Sequence, residues 1–200
     1  LNSLVPIADF LREKHLSLLL LDYQIQKLRF LILLLHKNHK LMVAMLGILK
    51  SGNVYVPLAP SDPPARIMSI LEDCDASLVL TDGDHLDQVK SFTAPGIRIV
   101  NVEEISEAIS DSNLELDIDP DALAFIIYTS GSGGKPKGVM QTHRNVRHYV
   151  NNYAEFISVK PDDRLTLLSP FSHSAVVMDI FSAFLYGASL FPFDVYTSGI

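Results

Sequence analysis

The sequence predicts an α/β fold, mostly parallel sheet flanked by helices, and three observations carry that expectation. Short, continuously apolar runs at 30–35 and 123–128 have the composition of strands buried on both faces. Between such runs, apolar residues recur three or four apart, as on the inward stripe of a helix. The two signals alternate along the legible part of the chain, and parallel strands joined by crossover helices bury both economically.

Residues 1–28 form a leader of unclear structure. Their leucines fit helix or strand, and no turn chemistry decides between them. Phe30 to Leu35 reads as the first buried strand. Asn38 suits a helix cap, followed by the stripe Leu41, Ala44, Met45, Ile48 and Leu49, with Gly52 as a left-handed terminator. Val54 to Leu58 is the next strand. Asp62 before Pro63-Pro64 is expected to open a second helix, with Ile67, Ile70, Leu71 and Cys74 inward. That stripe makes Cys74 a core residue rather than a nucleophile.

A strand at 77–81 then ends in the turn pair Asp82-Gly83. A short helix near Leu86 to Val89 and a strand at 97–100 follow. The acidic stretch between Asn101 and Asp121 reads as a solvated surface segment, since it lacks the ligand spacing of a calcium loop. It divides the expected first α/β subdomain (29–116) from a second α/β portion (117–200). In the second portion, Leu123 to Tyr128 is a buried strand, and Val146, Val150, Tyr153 and Ile157 mark a helix. A strand at 165–168, a helix at 178–186 closed by Gly187, and a strand at 189–193 complete the series.

Composition excludes several classes. At 48% hydrophobic and 20% charged, 200 residues can bury a core and are not disordered. A net charge of -7 disfavours nucleic acid or an anionic membrane as partner. The apolar runs 18–21 and 30–35 are far shorter than a membrane span. The single cysteine rules out an intrachain disulfide framework and fits a reducing, cytoplasmic setting.

The segment that carries chemistry is Thr129-Ser130-Gly131-Ser132-Gly133-Gly134-Lys135-Pro136-Lys137-Gly138. Glycines let a backbone turn tightly and present consecutive amides to an anion. Thr129, Ser130 and Ser132 add hydroxyls, while Lys135 and Lys137 add ammonium groups suited to polyphosphate. The pattern is neither the common P-loop nor a dinucleotide fingerprint. From composition alone, a Gly/Ser-rich surface loop remains the alternative.

Tyr128 through Val139, with His143-Arg144-Asn145, resembles the signature of the adenylate-forming (AMP-binding) superfamily, which includes peptide-synthetase adenylation domains, acyl- and aryl-CoA ligases and luciferases. Leu46-Gly47-Ile48-Leu49-Lys50-Ser51-Gly52-Asn53-Val54-Tyr55-Val56-Pro57-Leu58-Ala59-Pro60 resembles a second motif, closest to the peptide-synthetase branch. Together the likeness covers roughly residues 29–193 and implies the N-terminal part of that family's large domain. It implies ATP with Mg2+ as cofactors, a small carboxylic acid as substrate, and a carrier-protein phosphopantetheine or coenzyme A thiol as acceptor. Phosphate contacts would fall to Thr129, Ser130, Gly131, Ser132, Gly134, Lys135 and Lys137; no catalytic residue and no metal ligand is assigned. His143 is expected only to help start the following helix.

The pattern departs from the family at two places. Gly133 stands where the family usually has threonine, which removes a donor worth about 1 kcal/mol. The run from Ser169 to Phe181 resembles the acyl-pocket motif, and aligning Asp179-Ile180-Phe181 with its end puts Ser174 where amino-acid-activating members carry an aspartate. Set against CoA ligases, Pro170-Phe171-Ser172-His173 matches a tetrad ending in histidine. His173 and Ser174 are therefore acyl-pocket candidates, His173 equally readable as a surface histidine. An aryl, fatty or hydroxy acid is favoured over an α-amino acid. The resemblance further implies that adenine, ribose and magnesium contacts and an adenylating lysine come from segments beyond Ile200. For these residues alone, a non-catalytic α/β fragment with weak nucleotide or protein binding is the rival expectation.

Overall fold

The computed structural model describes residues 30–105, 116–130 and 135–193. The expectations for the leader 1–28 and for much of the acidic stretch lie outside those residues. Strand β1 (Phe30–Leu34) is buried along nearly its whole length because it lies inside the sheet. Leu31 and Leu33 enter one hydrophobic core, Ile32 and Leu34 the other. That alternation is the period-two geometry of a strand with both faces covered.

Helix α1 (His39–Lys50) starts where Asn38 accepts the Lys40 amide at 2.9 Å. Its stripe of Leu41, Ala44, Met45 and Ile48 is fully buried, and the chain leaves through Gly52 at φ +71°. β2 (Val54–Pro57) pairs in parallel with β1. Helix α2 (Pro64–Asp73) opens at the prolines, as expected, with its cap position on Pro63, which has no side-chain acceptor. Asp62 accepts the Ala59 amide at 3.1 Å and faces Arg66 at 3.7 Å.

β3 (Leu78–Thr81), a single 3₁₀ turn at Gly83–His85, α3 (Leu86–Phe92) and β4 (Arg98–Asn101) extend the sheet on the other side of β1. β5 (Leu123–Ser130) pairs in parallel with β2, Tyr55 opposite Phe125, so strands from both sides of position 116 share one sheet. β6 (Pro136–Thr142) turns back antiparallel to β5. Among the described residues the sheet has six strands in the order β4-β3-β1-β2-β5-β6. Mainly parallel pairing agrees with the expectation; β6 was not foreseen. Its burial shows why: it is an exposed edge strand containing Pro136 and Gly138, without the apolar alternation that announces a strand.

Helix α4 (His143–Ile157) is capped by Thr142, whose hydroxyl accepts the Asn145 amide at 3.2 Å. It buries Val146, Val150 and Ala154; Ile157, expected inward, is exposed at the last turn. β7 (Arg164–Leu167), α5 (Ala175–Tyr186) and β8 (Ser189–Pro192) follow, β7 and β8 forming a separate two-stranded parallel sheet. Helices α2 and α3 cover one face of the large sheet, and α1, α4 and α5 the other. No helix among the described residues is long and apolar enough to cross a membrane.

Candidate functional site

Strand β5 changes character along its length. Ala124 to Tyr128 are buried, then Thr129 and Ser130 emerge into solvent. Helix α2 holds the strand just before that exit. Arg66 donates to the Tyr128 carbonyl at 3.0 Å, and the Tyr128 hydroxyl donates to Asp73 at 2.6 Å. Burial and the Asp73 carboxylate both push the Tyr128 phenol far above its ordinary range, so it stays a neutral donor.

The returning strand sets Lys137 opposite Thr129 and Pro136 opposite Ser130. The Thr129 hydroxyl donates to the Lys137 carbonyl at 3.4 Å, and Lys135 and Lys137 are exposed. Gly138 is sterically required. A Cβ there would come within 2.9 Å of Ile126 and 3.2 Å of the Tyr128 ring. Of the expected phosphate contacts, Thr129, Ser130, Lys135 and Lys137 therefore converge at one end of the β5–β6 hairpin; Gly131, Ser132 and Gly134 lie outside the described residues, as does Gly133.

The second candidate segment approaches from α5. Phe171 is buried, its ring 6.2 Å from that of Tyr55, which in turn is 5.2 Å from Phe125. This aromatic row anchors the segment to the sheet and leaves His173 and Ser174 exposed at the mouth of α5. Ser174 occupies the cap position, yet its side chain makes no capping bond.

A cleft of about 410 Å³ lies between the hairpin, α4 and the start of α5. Thr129, Val139, Gln141, Tyr149, Ser174 and Met178 are among its walls, and among the described residues no charged side chain lines it. Thr129 from the loop and Ser174 from the acyl segment thus share one cavity. His173 is not part of the lining. His143 starts α4, as expected. Burial holds its imidazole below the usual histidine range, and its buried Nε2 has no hydrogen-bond partner among the described residues. It lines a different depression, with Arg144 and Arg147.

Two positioning residues carry no local sequence signal. Lys37 donates to the carbonyls of Leu168 and Ser169 at 2.9 and 3.2 Å, which ties the turn after β1 to the acyl segment. Arg66 grips the carbonyl just before the loop. Both act on main-chain groups far away in sequence, a pairing that no periodicity reveals. Cys74 is buried as expected, and desolvation pushes its thiol up to about 11, which suits packing rather than nucleophilic work.

The doubly covered, mainly parallel sheet has the architecture of the N-terminal portions of adenylate-forming enzymes, which superpose on it. Residues 12–198 match the family model described as AMP-binding enzyme, and the chain belongs to that family. It is 37% identical over 162 residues to surfactin synthase subunit 1 of Bacillus subtilis (strain 168), covering 79% of this chain and 4% of that protein. Among solved structures, the AMPPNP-bound form of the nonribosomal peptide synthetase FmoA3 superposes with a TM-score of 0.84 at 28% identity. It covers 92% of this chain and 19% of that one. ATP-bound MatB from Rhodopseudomonas palustris shares the fold, with a TM-score of 0.83 at 21% identity over 93% of this chain and 39% of that one. The chain therefore spans well under half the length of these relatives.

Proposed function

We propose that this chain supplies the ATP-phosphate cradle and part of the acyl cleft of an enzyme that activates a carboxylic acid as its acyl-adenylate. The observation that carries the reading is the cleft running from Thr129 at the root of the loop to Ser174 at the start of α5. An acid lying in that cleft has its carboxylate beside the α-phosphorus of a nucleotide whose tail rests in the loop. A carboxylate oxygen forms the new bond to phosphorus, the α–β phosphoanhydride bond breaks, and pyrophosphate leaves with the electron pair.

In this reading Thr129, Ser130, Gly131, Ser132, Gly134, Lys135 and Lys137 hold the β- and γ-phosphate oxygens. Hydroxyls, amides and ammonium groups fixed in place need no reorganisation as charge moves onto pyrophosphate. That FmoA3 has an AMPPNP-bound form supports nucleotide binding in this reading. Mg2+ belongs to the reading as counter-ion to the phosphates. The described loop and cleft residues offer hydroxyl and ammonium groups and no carboxylate, so they suit the phosphates rather than the cation, and no step is routed through it.

The cleft also bears on the acid. FmoA3 has a form bound to α-methyl-L-serine-AMP, whereas here the family resemblance puts Ser174 at the aspartate position and no charged group among the described residues lines the cleft. A buried substrate ammonium would go uncompensated there. The substrate class is accordingly an aryl, fatty or hydroxy acid, with His173 at the rim, and a thiol of carrier-protein phosphopantetheine or coenzyme A takes the acyl group afterwards.

ATP–pyrophosphate exchange with a panel of aryl, fatty, hydroxy and α-amino acids tests this, run on the chain and on its gene's full product. Exchange with acids lacking an ammonium group is expected. Exchange confined to α-amino acids would overturn the substrate class. No exchange and no ATP affinity in either form would favour the rival, a non-catalytic fragment.

A further inference from the structure

A second cluster of polar side chains sits away from the cleft, where the neighbouring parallel strands β1 and β3 end. Leu34 pairs with Thr81, so the turns that follow place His36 beside Asp82. Asp82 is almost fully buried. One of its oxygens accepts the His36 amide at 2.7 Å; the other accepts the His85 amide at 3.1 Å and lies 2.6 Å from His85 Nδ1. The His36 and His85 rings stand with centroids 4.3 Å apart, and His36 Nε2 is 3.2 Å from the exposed Asp84 carboxylate. One ring nitrogen from each histidine and one Asp82 oxygen all lie within 4.8 Å of one another.

We propose that His36, Asp82 and His85 form a binding site for a zinc-class divalent cation, with Asp84 or water completing the shell. Two imidazoles and a carboxylate are a borderline-soft N/O donor set that suits zinc and its neighbours, whereas calcium and magnesium take oxygen ligands. Donors on a tetrahedral zinc at about 2.0–2.1 Å stand roughly 3.3 Å from one another. The present separations, from 2.6 Å to at most 4.8 Å, bracket that value. Rotation of the His36 ring, which is 42% exposed, and a slight opening of the 2.6 Å His85–Asp82 contact would bring the three donors to that spacing. The two main-chain amides fix the Asp82 carboxylate before any ion arrives, as outer-shell donors commonly fix a ligating carboxylate.

The bound ion pins the turn after β1 to the turn after β3. Lys37, next to His36, holds the carbonyls of Leu168 and Ser169 that lead into the acyl segment. The site is structural and independent of whether the cleft performs adenylation.

Titration of the chelator-stripped chain with Co2+, followed by Zn2+ displacement, tests the proposal. The expected result is a saturable, one-to-one visible absorption of a low-coordinate Co2+ site, abolished by Zn2+. His36→Gln and His85→Gln should each weaken binding by about tenfold or more, and Zn2+ should raise the thermal midpoint of the unmodified chain but not of the variants. Circular dichroism checks that the variants fold. Should His85→Gln fail to fold, zinc-edge X-ray absorption of the unmodified chain still decides: two imidazoles and oxygen are expected. An oxygen-only shell, no saturable Co2+ signal, or unchanged affinity in His36→Gln would overturn the site.

Discussion

The centre of the large sheet and its β5–β6 edge belong to one hydrogen-bonded sheet and do different work. β1 and β3 are enclosed on both faces by helices, and their side chains do little beyond filling space. The β5–β6 hairpin buries one strand for five residues, then delivers two hydroxyls to solvent, and β6, preceded by the exposed Lys135, returns largely exposed with Lys137. The difference teaches where function can be placed on such a sheet. A rigid centre fixes positions, and an edge that leaves the core offers donors to a ligand.

Substitutions in the two regions should therefore differ in kind. Ile32→Ala empties a fully buried position at the centre; a loss of roughly 2–5 kcal/mol is expected by chemical denaturation. A loss below about 1 kcal/mol would break the contrast, since such a small cost marks a site that collapses readily. Gly138→Ala tests the hairpin, where the added methyl meets Ile126 and the Tyr128 ring. Destabilisation of about 1–3 kcal/mol is expected in the same assay, a large effect for a strand so exposed.

Asp179 on α5 sharpens the comparison through pH. Burial raises its carboxyl above the ordinary range, against a weaker opposing contact from the Tyr153 hydroxyl at 3.4 Å. The folded state therefore holds this proton more tightly than the unfolded chain does. Stability from this group is greatest at acid pH and declines as pH rises through the ordinary carboxylate value of 3.8 to the raised folded one. Asp179→Asn should gain on the unmodified protein across that window and keep a constant advantage above it, as read from unfolding curves at stepped pH. Val139→Thr, on the exposed face of β6, should change stability by no more than about 0.5 kcal/mol.

The legible parts of the fold follow the same division. Runs such as Phe30 to Leu34 and stripes such as Leu41, Ala44, Met45 and Ile48 are visible because burial on a regular element imposes its period on sequence. β6 was not visible, because an exposed edge pairs through its backbone and leaves its side chains free to vary. The opening of α2 was legible from its prolines, and Pro64 does stand at the first helical position. For the candidate site, Thr129, Ser130, Lys135 and Lys137 are proposed from motif and composition and Ser174 from the family resemblance, and the fold brings Thr129 and Ser174 to one cleft. Lys37, Arg66 and the His36–Asp82–His85 cluster could not be foreseen, because each depends on strands that meet only in the folded sheet.

Backbone NMR of the chain during titration with Mg·ATP, Mg·pyrophosphate and Mg·AMP tests the nucleotide reading most directly. Amide shifts concentrated at Thr129 to Lys137 with ATP and pyrophosphate, much weaker with AMP, are predicted, as is lower ATP affinity in a Thr129→Ala/Lys135→Ala double variant. Shifts located elsewhere, together with unchanged affinity in that variant, would contradict it.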